Sequence, residues 1–193
     1  MKNQVFLFLG AIAVSMAVGA CGGRNVEQAP AADQADTTAQ AVTTVEQAVD
    51  RFLVDSIANR YGSGKINIPQ VVIIDRQQNG DTVNVLGDFW VFNYDIAGDT
   101  LKCVSGGHHA GMLIVSKEDG NYRVTGFDPV TDGNTFEPSA RRIFGDKYEQ
   151  FHAIYSDSEA REDLRDSLTA AYVKAHNLPV KCYQDYGWPA RPL

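Results

Sequence analysis

Two adjacent histidines sit among glycines in Gly106-Gly107-His108-His109-Ala110-Gly111, five residues after Cys103. Cysteine with histidine is the material of a thiol nucleophile activated by imidazole. Histidine with a carboxylate is the material of general acid–base chemistry. Asp88 and Asp128 are the carboxylates that neighbouring strand segments would bring to such a histidine, and Trp90 and Tyr94 could line a pocket beside it. Neighbouring side chains on a strand point to opposite faces. At most one of His108 and His109 therefore shares a face with Cys103, unless the strand bulges. The same divergence argues against a zinc site here, and no HExxH or CxxC motif accompanies the pair. Ser105 lies outside a G-x-S-x-G elbow. The oxygen-rich stretch Asp128–Asn134 lacks the spacing of a calcium loop and reads as a turn. No catalytic residue, metal or cofactor is assigned. The best single candidate is one of the two histidines, aimed by a glycine-permitted bend at Asp88 or Asp128.

Cysteines place the chain in the cell. Of the three, Cys21 closes an N-terminal segment, MKNQVFLFLGAIAVSMAVGAC. One basic residue, Lys2, precedes an uncharged run from Val5 to Val18. That run is too short for a bilayer core, which takes about 20 apolar residues, and suits the apolar region of a secretory leader. The segment Val18-Gly19-Ala20-Cys21 resembles the lipobox of bacterial lipoproteins. The resemblance implies cleavage after Ala20, thioether lipidation and N-acylation of Cys21, and anchoring to a membrane by several acyl chains. Gly22 follows the cysteine where an aspartate would signal retention at the inner membrane. By the same resemblance, the outer membrane, facing the periplasm, is expected.

Cys103 and Cys182 then remain as an even pair in an oxidising compartment. They either form a disulfide closing a long loop or stand as two buried thiols. The charge count is 17 Lys and Arg against 24 Asp and Glu, −7 overall. Loss of Lys2 with the leader makes the mature balance more negative still. Such a balance argues against nucleic acid, whose phosphates need clustered cations. With 44% apolar residues, most of the chain should fold around a core.

The elements that must position these residues follow from periodicity. Residues 1–20 read as signal peptide. Residues 21–42 read as the lipidated cysteine and a flexible tether, because Gly22–Val42 holds no Leu, Ile, Phe, Tyr or Trp. Residues 43–193 read as one α+β domain. It opens with a capping box, Thr44 to Gln47, and a helix with apolar positions from Val45 to Ile57. Strands are expected over 66–75, 82–95, 100–116 and 122–128. Asn79-Gly80, Ala97-Gly98-Asp99 and Asp119-Gly120 turn them into a meander. The second carries apolar side chains on both faces, so it should be covered on both. Helices follow, with Ser156 and Glu159 as a second capping box. The alternating charges from Glu159 to Lys174 read as a solvated helix face. Tyr183, Tyr186 and Trp188 suggest a tail packed on the domain.

This order predicts an N-terminal helix packed on a curved, four-stranded antiparallel sheet, followed by C-terminal helices. It resembles the cystatin-like and nuclear transport factor 2-like domains. The resemblance rests on element order over residues 43–128, and implies a conical pocket. Gln70-Val71-Val72-Ile73-Ile74 resembles the cystatin Gln-x-Val-x-Gly loop but lacks its glycine, so inhibition is not implied. The leading functional expectation is a lipid-anchored envelope protein whose domain is a non-catalytic module binding a protein or small molecule. The alternatives are a pocket enzyme of dehydratase or cyclase type, and an inhibitor or immunity-type protein.

Overall fold

The computed structural model describes residues 43–193. The signal peptide, Cys21 and the tether fall outside that range. Helix α1 (Val45–Phe52) starts as its sequence dictates. Thr44 Oγ1 accepts from the Gln47 N–H (3.2 Å), and Gln47 Oε1 accepts from the Thr44 N–H (2.9 Å). A wider π turn (Leu53–Ile57) and a 3-10 turn (Ala58–Tyr61) continue it to Gly62, whose φ of 65° lets the chain leave.

Five strands follow in meander order: β1 (Ile66–Asn79), β2 (Thr82–Ala97), β3 (Thr100–His108), β4 (Gly111–Glu118) and β5 (Asn121–Pro129). Helices α2 (Phe136–Phe144), α3 (Tyr148–Ser156) and α4 (Ser158–Ala175) come next, and the tail adds β6 (Cys182–Gln184) and β7 (Arg191–Pro192). The expected four-stranded antiparallel sheet is therefore incorrect. The sheet has seven strands and is mixed, because β6 pairs parallel to β3. Two causes account for the difference. The single strand expected over 100–116 is divided at His109–Ala110 into β3 and β4. The three residues of β6 carry no periodicity of their own and become a strand only against the β3 edge.

Strand β2 organises the sheet. Along one edge its residues 82–94 pair with β1. Along the other, residues 82–87 pair with β4 and residues 90–97 with β3. At the break, the His109 N–H donates to the Phe89 carbonyl (2.8 Å). Two glycines make this junction close enough to work. A Cβ on Gly106 would collide with the Val91 carbonyl oxygen, and one on Gly111 with that of Asp128.

Alternation along β2 builds a core on each face. Val83, Val85, Phe89 and Val91 pack with Val49, Leu53 and Ile57 of the N-terminal helix. On the opposite face Leu86 joins Phe144, Tyr148 and Phe151 of α2 and α3, while Tyr94 joins Leu168, Tyr172 and the tail residue Tyr183. The start of α4 departs from its expected cap. Ser156 ends α3, and Asp157 caps α4 by accepting from the Ala160 N–H (3.0 Å).

Helix α4 is not the solvated helix that its charge pattern suggests. Arg161 lies over the Trp90 ring (4.9 Å to the centroid) and Arg165 over Phe92 (3.8 Å). Four helical residues rise about 6 Å and two strand residues about 6.7 Å, so arginines at i and i+4 meet alternate residues of β2. Arg165, 4% exposed, also donates through Nε to Tyr94 Oη (3.0 Å) and is paired through both terminal nitrogens with Asp185 of the tail. Burial opposes its charge, but the hydrogen bonds and charges of Asp185 and Tyr94 together outweigh it, raising its pKa. Burial pushes the Tyr94 hydroxyl up to about 12, so it stays a neutral acceptor.

Removing one partner of a buried ion pair leaves the other uncompensated. Arg165→Ala is expected to lower the unfolding free energy by about 3–5 kcal/mol in urea denaturation. The double change Arg165→Met with Asp185→Asn, which removes both charges and keeps packing on Phe92, should lose clearly less.

Candidate functional site

The histidines diverge. His108 stands opposite Trp90 in the β2–β3 register and takes the face covered by α2–α4. His109 takes the other face, with Nε2 2.8 Å from Tyr61 Oη. The register places Asp88 and Trp90 on the face of His108, and the three side chains converge. His108 Nε2 is hydrogen bonded to Asp88 Oδ1, and Trp90 Nε1 donates to Asp88 Oδ2 (3.1 Å). Asp88 is 2% exposed, so both its oxygens are used and water is kept off. The imidazole lies among the rings of Trp90 (centroids 4.7 Å apart), Tyr155 (5.0 Å) and Phe136 (6.3 Å).

Sequence pattern thus brought His108, Asp88 and Trp90 to one place, and the structure separates the other candidates from it. Asp128 leaves the site: Arg142 donates to both its oxygens (2.7 and 2.9 Å) at the surface and holds its carboxyl below the usual range. Tyr94 belongs to the Arg165 cluster. Gln70–Ile74 lies inside β1, with Gln70 buried. Ser105 Oγ donates to the Ser63 carbonyl (3.0 Å) and receives Asn93 Nδ2 (3.0 Å), both ordinary structural bonds.

Of the two readings of Cys103 and Cys182, bridge or free thiols, the structure has the second. Both thiols are free. Cys182 pairs with Thr100, three residues before Cys103 in β3. Three residues of strand are about 10 Å, beyond the roughly 7 Å limit between bridged Cα atoms. An odd offset also turns the two side chains to opposite faces. Burial raises the Cys103 pKa, which works against a thiolate at neutral pH. Among the described residues, no group of three or more His, Cys, Asp or Glu is placed to hold a metal ion.

Two clefts lie away from His108 and Asp88. A cleft of about 650 Å³ opens between Lys102–Ser105 of β3 and Gln184–Trp188, from the last residue of β6 onward. Here β6 ends and the sheet edge loses its outer strand. Tyr186 and Trp188 stand 95% and 71% exposed on this loop. Its backbone is pinned: Asp185 is held by Arg165, the Trp188 N–H donates to the Asp185 carbonyl (3.2 Å), and Gln184 Nε2 donates to the Trp188 carbonyl (2.8 Å). A smaller cleft, about 340 Å³, lies by Gly62–Lys65 and Asp95. Sequence reading placed Tyr186 and Trp188 in a packed tail and missed the cleft, because nothing local in the tail shows where β6 stops. No family model matches the chain, and neither the curated proteins nor the solved structures contain a significant match to it.

Two measurements follow from this geometry. Alkylation under denaturing, non-reducing conditions should label both Cys103 and Cys182, read by intact mass; an oxidised pair would contradict the register. Burial, then the neighbouring His108, lowers the His109 pKa. The unfolded chain therefore binds the proton more readily, and stability through this group is lost as pH falls through about 6.5. His109→Gln should show a shallower loss of stability between pH 7 and 5 than the parent, measured by urea midpoints.

Proposed function

We propose that this chain is a lipid-anchored protein of the bacterial cell envelope whose domain is a non-catalytic binding module. The observation that carries it is the uncharged run Val5–Val18 ending in Val18-Gly19-Ala20-Cys21. Acyl chains on Cys21 would hold the domain to a membrane, each buried CH2 contributing about 0.8 kcal/mol. Gly22 after the cysteine favours the outer membrane, facing the periplasm. An acidic chain with no clustered cations supports a partner other than nucleic acid.

The arrangement of the domain supports binding over catalysis. General acid–base chemistry needs a substrate within hydrogen-bond reach of the pair that moves the proton. Both Asp88 oxygens are taken by His108 and Trp90, and aromatic rings pack around the imidazole. Neither His108 nor Asp88 lines either cleft. The pair has the character of a buried hydrogen-bond network that fixes α2 and α3 to the sheet. The cleft beside Trp188, by contrast, offers exposed rings on a pinned loop, and Tyr and Trp are suited to binding surfaces because their rings are apolar and their tips polar.

The test of anchoring is metabolic labelling with a tagged fatty acid in a bacterial host, comparing the full chain with Cys21→Ser. Label should enter the parent and be lost from the variant. Equal labelling of the two would reject the lipoprotein reading.

A further inference from the structure

Strand β3 has a partner on its inner edge throughout and on its outer edge only at Thr100–Lys102, where β6 lies. On the same side, β5 pairs with β4 from Glu118 up to Gly111 and stops at Pro129. Between the two, no strand among the described residues pairs with the outer edge of Cys103–His108. Six residues of strand are about 20 Å of main chain. An open edge of this kind is a template for another extended chain, and β6 already uses its neighbouring stretch in that way. The chain is drawn off the edge at Asp185, which turns to Arg165, and the 650 Å³ cleft begins where it leaves.

The walls of this slot say what would fit. Trp188 and Tyr186 give it two exposed rings, and a bulge between Cys103 and Ser105 leaves the Val104 side chain 44% exposed beside them. Lys102, exposed, is the one cation among the residues that line it. Lys102 takes part in no ion pair among the described residues. Asp95, opposite it in the register, accepts from the Lys65 N–H (3.2 Å), and Asp185 is paired with Arg165.

Resting on the reading of the domain as a binding module, we propose that this slot takes an extended peptide of a partner protein as an added strand. Main-chain hydrogen bonds to the free edge of β3 supply affinity. An apolar side chain on Trp188 and an acidic one against Lys102 supply selectivity, as in other strand-addition complexes. The added strand would continue the sheet past the end of β6. No part of the domain need move, because the loop carrying the rings is already held by Arg165 and Gln184.

The experiment uses the detergent-solubilised full chain and an array of random eight-residue peptides, beside an array of neutral and acidic oligosaccharides. Retained peptides are expected to combine an apolar and an acidic residue. Methylating their backbone nitrogens one at a time should weaken binding at least tenfold at alternate positions only. Lys102→Glu, a change at an exposed residue, should move the selection towards basic peptides, and Trp188→Ala should weaken it. Peptides indifferent to N-methylation, or a charge preference unchanged in Lys102→Glu, would overturn the strand-addition proposal. Retention of oligosaccharides alone would also overturn it, while leaving the binding-module reading in place. Retention by neither array would count against both.

Discussion

Arg165 joins three parts of the domain: the sheet, α4 and the tail. Its guanidinium lies on Phe92 of the sheet, hydrogen bonds Tyr94, and holds Asp185 of the tail, all from a position in the middle of α4. A cation so buried persists only where its donors are satisfied and a counter-charge is at hand. The geometry is therefore tightly determined: α4 must cross β2 with Arg161 over Trp90 and Arg165 over Phe92, and Asp185 must end β6 at one place. Around it, Asp166 takes the Tyr183 hydroxyl and Arg191, and Glu162 takes Arg191 as well (3.1 Å). The tail is thus held by α4 through a charged network, and against the sheet by the Tyr94–Tyr183 contact.

The second constraint is the junction in the long strand. Gly106 and Gly111 let β3 and β4 approach their neighbours more closely than any side chain allows. The two residues between the strands, His109 and Ala110, lie outside the pairing with β2. The break sits beside Asp88 and Phe89. It places a polar network, Asp88 with His108 and Trp90, on one face of β2 and Phe89 with the N-terminal helix on the other. Satisfying both carboxylate oxygens inside an aromatic shell gives this part of the core a unique arrangement, since a partly satisfied buried carboxylate would be costly.

These two features divide the domain into a closed part and an open one. The histidines, which have the residue types of chemistry, are half-buried and line neither cleft. The open surface is made from residues of ordinary type: a strand edge, a lysine, and two aromatic side chains on a loop. Their significance comes from position. The loop is held by Arg165 and Gln184, and its rings stand exposed beside a stretch of the β3 edge that no described strand pairs with.

The sequence by itself determined the local pieces. Thr44 and Gln47 specify the start of α1, because a capping box needs only four consecutive residues. Asn79-Gly80 and Asp119-Gly120 specify two turns. Alternation in β2 specifies a strand covered on both faces, and adjacency alone separates His108 from His109. His108, Asp88 and Trp90 could be named as neighbours because a meander brings consecutive strands together. Only the tertiary structure decided the rest. The charges of α4 look solvated when read along the helix, and Arg165 is buried because the i, i+4 rise of a helix matches the i, i+2 rise of β2. Asp128 faces Arg142 instead of His108, since the register of β5 is set by its pairing with β4. The three residues of β6 are a strand only because β3 offers an edge, and that same parallel register keeps Cys103 and Cys182 apart. Pairing between residues 82 apart follows from packing of the whole domain, and no local spacing encodes it.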